Sequence, residues 1–197
     1  MLLRVLKFEL TRMVRQRLAQ VAVLSCVLAV LAGGFLAYRG VSLTQGALDR
    51  SRVTGYTLLS MSVGYGFATA LLFMLIHTSG SVAGERSGGT LKYDLTSGVR
   101  RVWFFTGKMM AEVLLAFVLL TVVTLAAVAW GSVLADFGRV PGTPPIEAGA
   151  MWNRVARVLA LGYGMTLFVV AATYLVSSIF RSATTVMGLS LGVITVG

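Results

Sequence analysis

Residues 18–38 read LAQVAVLSCVLAVLAGGFLAY, a stretch of 21 residues without a charged side chain. An α-helix rises about 1.5 Å per residue, so the stretch is about 30 Å long, the thickness of the hydrocarbon core of a bilayer. A secretory signal also combines a basic start with an apolar stretch, but its apolar core is only about 7–15 residues long. The stretch therefore predicts a membrane-spanning helix.

The composition of the whole chain agrees with this prediction. Of the 197 residues, 57% are hydrophobic and only 12% are charged, and the mean hydropathy is +0.86. A soluble domain carries about 25% charged residues, so this chain lacks the polar side chains that a water-exposed surface needs. We expect an all-α fold, a polytopic membrane helical bundle.

Similar apolar stretches recur along the chain. The last of them, residues 183–197, has 15 residues, fewer than the roughly 20 that a helix needs to cross a bilayer. We therefore expect a single transmembrane domain over residues 1–197 that is the first part of a longer protein, with the fifth span incomplete. The predicted complete spans are residues 18–38, 56–76, 109–134 and 158–180.

The first 17 residues form a basic segment of a different kind. Glu9 is the single acidic residue among five Lys and Arg, and leucines recur at helical spacing, as at Leu6 and Leu10. A basic helix with an apolar stripe is typical of the membrane surface. The pattern predicts an interfacial helix over residues 1–17.

The distribution of basic residues predicts the orientation of the chain. The formal net charge is +10, a value that in a soluble protein suggests nucleic acid. Here the basic residues flank apolar spans, so we expect no nucleic-acid partner. Of the 17 Lys and Arg, eleven lie in the amino-terminal segment, the His77–Lys108 segment and the turn at Arg181, and six lie in the other two links. Since the cytoplasmic side carries the basic excess, we expect a cytoplasmic amino terminus.

No pattern in the sequence indicates catalysis. His77 is the single histidine of the chain, so neither a histidine zinc site nor a Ser-His-Asp relay can be built around it. Gly107-Lys108 lacks the upstream glycine and the following hydroxyl of a phosphate-binding loop. We expect no enzymatic activity, no metal and no cofactor in this chain, and an interfacial polar role for His77.

Glu112 is the one acidic residue within a predicted span. Lys108 precedes it by four residues, a spacing that allows an ion pair on one helix face. We expect this pair to be a structural anchor at the membrane interface rather than a proton or sodium site.

The segment from Gly84 to Lys108 reads GERSGGTLKYDLTSGVRRVWFFTGK. Gly88 and Gly89 are expected to end the helix that enters from the second span, and Gly98 to make a second break. Leu91 and Leu95 lie on one face of the short helix between these breaks. The pattern predicts a short amphipathic helix that suits docking on a partner, with an ordinary basic loop as the alternative.

This segment resembles the intracellular loop of the permease subunits of ABC-2 type transporters. That loop commonly reads E-R-x-x-G-T-L-x-x-L-L, then a proline and a Ser/Thr-Arg pair, then G-K at the start of the third span. The chain departs from it at Gly98 in place of proline, at Arg100 in place of serine and at Asp94 in place of an apolar residue. It matches at Glu85, Arg86, Gly89, Thr90, Leu91, Leu95, Arg101, Gly107 and Lys108.

The resemblance implies a function for the loop. It would be a coupling helix that fits a groove on a separate cytoplasmic ABC ATPase, in an exporter of two permeases and two ATPases in the cell membrane. The alternatives are a membrane anchor or scaffold that recruits an ATPase without transport, and an ATP-independent channel or carrier. The residues to which the resemblance assigns ATPase coupling are Glu85, Arg86, Gly89, Thr90, Leu91, Leu95, Arg101 and Lys108.

Overall fold

The computed structural model describes residues 2–44, 55–89, 100–134, 137 and 148–196. Over these residues the chain is all-α and contains no strand, which confirms the predicted fold class. The helices are α1 (Leu2–Arg15), α2 (Arg17–Thr44), α3 (Gly55–Ser87), α4 (Arg101–Leu134), α5 (Ala148–Ile179) and α6 (Ala183–Val196).

Four of the described helices are long and apolar enough to cross a membrane. These stretches are Arg17–Arg39, Gly55–Ser87, Val102–Leu134 and Gly149–Ile179. Each of these stretches covers all or nearly all of one predicted span and is longer than that span. In α3 the helix continues past Ile76 because neither a proline nor a glycine pair interrupts it before Gly88. The prediction of a polytopic helical membrane protein is therefore confirmed.

The ends of two helices show how the chain changes direction. A single residue, Gln16, separates α1 from α2, and its backbone amide donates to the carbonyl of Met13 at 3.0 Å. After α3, the amide of Gly88 donates to the carbonyl of Gly84 at 2.9 Å, and Gly89 has a φ of 72°. A positive φ is adopted readily only by glycine, so Gly89 ends the helix as predicted. The predicted docking helix and the break at Gly98 lie outside the described residues.

The chain divides into two compact units. The first contains residues 1–20, 71–118 and 165–197. In it, the hydroxyl of Ser177 on α5 donates to the carbonyl of Ser79 and accepts the amide of Ala83, both on α3 and both at 3.1 Å. The hydroxyl of Tyr174 donates to the carbonyl of Phe105 on α4 at 2.8 Å. Polar side chains of α5 therefore bond to backbone groups of α3 and α4.

The second unit contains residues 21–70 and 119–164. It packs through small residues: a Cβ added to Gly66 would lie 2.4 Å from Val123, and one added to Gly162 would lie 2.5 Å from Phe67. Membrane helices approach closely where side chains are this small, because packing takes the place of the hydrophobic effect. In the same unit, the rings of Tyr56, Phe137 and Trp152 lie with their centroids 5.0–5.5 Å apart.

Candidate functional site

Helix α1 packs one face against the rest of the first unit. Met13 is buried, and a Cβ added to Gly107 on α4 would lie 2.8 Å from Cγ1 of Val5. The absence of a side chain at Gly107 therefore lets α1 approach α4. The predicted amphipathic helix is present, and its inner face also carries Glu9, of which only 4% is exposed.

The buried acid of α1 belongs to a cluster of charges. The Nζ atom of Lys108 lies 2.6 Å from Oε1 of Glu85 and 3.4 Å from Oε1 of Glu9. The Nη1 atom of Arg12 lies 2.8 Å from the same Oε1 of Glu85. One carboxylate oxygen on α3 thus bonds to a cation on α4 and to another on α1. We call Glu9, Arg12, Glu85 and Lys108 the charge cluster.

Most of the charge cluster is buried, so the loss of one charged group leaves the others without compensation. Lys108, Glu85 and Glu9 are only 2%, 8% and 4% exposed. Two carboxylates and two cations balance in formal charge, which offsets the cost of burying Glu9, Glu85 and Lys108, while the side chain of Arg12 remains 43% exposed. Deleting one partner of a buried pair costs about 3–5 kcal/mol, because the remaining charge is left uncompensated. The cluster therefore favours one arrangement of α1, α3 and α4.

A second polar group lies next to the charge cluster. The Nδ1 atom of His77 lies 3.0 Å and 3.1 Å from the two carboxylate oxygens of Glu112, and the hydroxyl of Thr78 donates to Glu112 at 3.1 Å. The Nε2 atom of His77 is 3.1 Å from Oε1 of Gln16. Glu112 is fully buried, and its carboxylate is satisfied by two side chains of α3.

This arrangement corrects the predicted pair between Lys108 and Glu112. Among the ion pairs of the described residues, Lys108 joins Glu85 and Glu9, whereas Glu112 joins His77. The i, i+4 spacing on α4 made a local pair possible, but α1 and α3 bring two other carboxylates to the lysine. His77, expected to be an interfacial polar residue, also connects α3 to α4 and to the junction of α1 and α2.

A cavity of about 220 Å³ opens between these side chains. Its lining includes Glu9, Arg12, His77, Glu85, Lys108 and Glu112. Within the described ranges, no group of three or more His, Cys, Asp or Glu residues is placed to hold a metal ion. The chemistry that these residues offer is charge pairing and hydrogen bonding.

The structure places the predicted coupling residues in different surroundings. Glu85 and Lys108 are buried in the charge cluster, and the guanidinium of Arg86 donates to the carbonyl of Ile179 at 3.3 Å. Gly89 forms the turn after α3, and Arg101 is the first residue of α4. Thr90, Leu91 and Leu95 lie outside the described residues.

Four ionisable members of the site were not among the predicted coupling residues: Glu9, Arg12, His77 and Glu112. Glu9 had a signal in the sequence, since it is the single acid in a basic amphipathic segment. A carboxylate there, on the apolar side of the helix, needs a buried cation as its partner. Which cation this is depends on how the helices pack.

The comparisons with known proteins agree with this architecture. A family model described as "ABC-2 family transporter protein" matches residues 3–196, nearly the whole chain. A comparison with curated proteins gives no match. The family match confirms the resemblance first seen in the loop between α3 and α4, and the four long apolar helices fit a multi-pass membrane protein. The chain therefore belongs to the ABC-2 family transporter proteins and is a permease component of an ABC transporter.

Proposed function

We propose that this chain is the permease subunit of an ATP-binding-cassette exporter in the cell membrane. It couples ATP hydrolysis by a separate cytoplasmic ATPase to the movement of a substrate across the bilayer. The family match supports the permease role. The export direction, the cell membrane and the ATPase-coupling residues come from the loop resemblance.

The observation that carries the coupling proposal is the contact between Lys108 and Glu85. These residues stand at the two ends of the loop between α3 and α4, and their side chains lie 2.6 Å apart in a nearly buried position. A force on the loop therefore acts on a joined pair of helices rather than on two independent ones. Such a joint suits an element that transmits the movement of a partner.

The charge cluster extends the joint to α1. Arg12 bonds to the same oxygen of Glu85 as Lys108 does, and Glu9 bonds to Lys108. In this proposal, Glu85 and Lys108 act from inside the permease and do not contact the ATPase. Leu91 and Leu95 are the residues proposed to dock on the ATPase, and Arg86, Gly89, Thr90 and Arg101 are proposed to contribute to coupling.

The proposal includes an orientation and an assembly. The amino terminus and the loop lie in the cytoplasm, supported by the excess of basic residues in those segments. A second permease completes the membrane part, as a homodimer or a heterodimer, with two ATPases bound beneath.

The experiment compares a docking variant with a joint variant in the complete permease–ATPase complex. Leu91→Glu is expected to abolish co-purification of the ATPase, because a charge enters an apolar docking face. Lys108→Met is expected to keep the ATPase bound but to reduce the stimulation of its ATP hydrolysis by the permease.

The matched control is Ala150→Glu, a charge placed on an exposed side chain in the first turn of α5, far in sequence from the loop and outside the predicted span of residues 158–180. It is expected to leave both co-purification and stimulation unchanged. Retention of the ATPase by the Leu91→Glu variant contradicts the docking face. Full stimulation by a folded Lys108→Met variant contradicts the joint.

A further inference from the structure

The outward face of α1 carries a row of basic side chains. Arg4, Lys7 and Arg15 are exposed, and with Thr11 they recur every three or four residues, so they lie on one side of the helix. From Arg4 to Arg15 the row is about 16 Å long. No ion pair to these three cations occurs within the described part of the chain.

Apolar side chains flank this row on both sides. Leu3, Phe8 and Val14 are 77%, 64% and 68% exposed, although each is a side chain that water solvates poorly. The opposite face of α1 is occupied by the contacts of Glu9, Met13 and Val5. The exposed apolar side chains therefore need a partner outside the described residues.

The position of α1 favours a membrane surface as that partner. A single residue, Gln16, separates α1 from the candidate span that begins at Arg17. A basic amphipathic helix joined so directly to a span is suited to the bilayer surface, where apolar side chains enter the acyl region and cations meet headgroup phosphates. The one acid of α1, Glu9, is turned inward to Lys108, so the outward face carries positive charge alone.

We propose that the face formed by Leu3, Arg4, Lys7, Phe8, Val14 and Arg15 binds anionic phospholipid headgroups in preference to zwitterionic ones. Charge complementarity favours the anionic lipid, because each basic side chain near a membrane surface is attracted to its negative potential. The flanking apolar residues favour a bilayer over a soluble acidic protein. Glu9 and Met13 keep this face turned outward, since they hold the other side of α1 against the rest of the first unit.

The test uses the full chain with Phe8→Trp, reconstituted without any ATPase into vesicles of 30% phosphatidylglycerol and 70% phosphatidylcholine. Two vesicle preparations are compared. In one, all the phosphatidylglycerol carries bromine on its acyl chains; in the other, an equal amount of the phosphatidylcholine does. Bromine quenches the fluorescence of nearby tryptophan. Subtracting the signal of the unsubstituted chain removes the contribution of Trp103, Trp130 and Trp152. We expect quenching of the introduced tryptophan to be about twofold or more stronger with brominated phosphatidylglycerol, and the excess to fall as salt is raised.

Charge variants separate electrostatics from packing. Arg4→Gln, Lys7→Gln and Arg15→Gln together are expected to abolish the preference, and Arg4→Gln or Arg15→Gln alone to remove part of it. Arg4→Lys with Arg15→Lys keeps the charge and is expected to keep the preference. The control, Arg154→Gln with Arg157→Gln, removes two exposed cations of α5 and is expected to change nothing.

Three results would overturn the proposal. One is equal quenching of the Phe8→Trp chain by the two brominated lipids. This is also the result expected if the face binds a protein instead of a lipid. Another is a preference that survives in the triple glutamine variant. The third is a preference that is lost in the charge-retaining lysine variant. Circular dichroism and elution volume show that each variant keeps the fold.

Discussion

The ammonium group of Lys108 lies 2.6 Å from the carboxylate of Glu85, across 23 residues of sequence and with both side chains nearly buried. This contact joins the end of α3 to the beginning of α4. Arg12 and Glu9 bring α1 to the same point. Because Glu85 and Lys108 share one interaction, single and paired substitutions of these residues are expected to differ in their effects.

Lys108→Met is expected to lower the free energy of unfolding by about 3–5 kcal/mol, because Glu85 and Glu9 lose their shared cation inside the protein. Glu85→Gln is expected to lower it by a similar amount. Both substitutions remove the same interaction. The loss of unfolding free energy in the double variant should therefore be smaller than the sum of the losses in the two single variants, with a coupling energy of about 1–3 kcal/mol. Thermal unfolding in detergent measures all four members of the cycle. Strict additivity would show that the two groups do not interact.

Gly107→Ala is expected to weaken the packing of α1 on α4, because the added Cβ would lie 2.8 Å from Val5. Overpacking of this kind typically costs about 1–3 kcal/mol. Val5→Ala in the same chain should recover part of the loss by returning the space. The loosening is measured with Met13→Cys in a Cys26→Ser chain. The cysteine at this buried position should react faster with a thiol reagent when α1 packs less closely on α4. Unchanged labelling in the Gly107→Ala chain would contradict the close approach.

Gly34→Ala is expected to destabilise the second unit by about 1–3 kcal/mol. An added Cβ would lie 2.6 Å from the Ser62 hydroxyl and 2.5 Å from the Trp130 ring, so α2 would have to move away from α3 and α4. Gly64→Ala is the matched control, because a Cβ at Gly64 meets nothing within 4 Å. Melting temperatures of the two variants in the same detergent give the comparison. Equal melting temperatures would rule out tight packing at Gly34.

A cysteine introduced at Leu91 is expected to be shielded from an impermeant thiol reagent in intact cells, because the proposed orientation places the loop in the cytoplasm. A cysteine at Thr143, in the link on the other side, should react. Both substitutions are made in a Cys26→Ser chain so that the native thiol does not contribute. Labelling at Leu91 together with protection at Thr143 would reverse the orientation.

Much of the fold was predictable because the solvent imposes it. A bilayer leaves no water to bond to exposed backbone groups, so a long uncharged stretch such as residues 18–38 forms a helix with internal hydrogen bonds. The bend at Gly88 and Gly89 was predictable for a similarly local reason, since glycine tolerates the positive φ that ends α3.

The partners of the buried charges were not predictable from spacing. Lys108 and Glu112 are four residues apart, and a local rule pairs them, but the structure pairs Lys108 with Glu85 and Glu9, and Glu112 with His77. A buried charge takes the best compensated arrangement available, and that choice depends on which helices pack together.

The membrane class, the helices and the family resemblance can therefore be inferred from the amino-acid sequence, since they follow from local composition and from a contiguous motif. That the acid of α1 and the two ends of the loop share one cluster is seen in the folded chain alone. The two kinds of feature differ in the range of the interactions that produce them. The backbone hydrogen bonds of a helix in lipid form within one segment. The buried charges of Glu9, Glu85 and Lys108 are neutralised only when three segments that are distant in sequence come together.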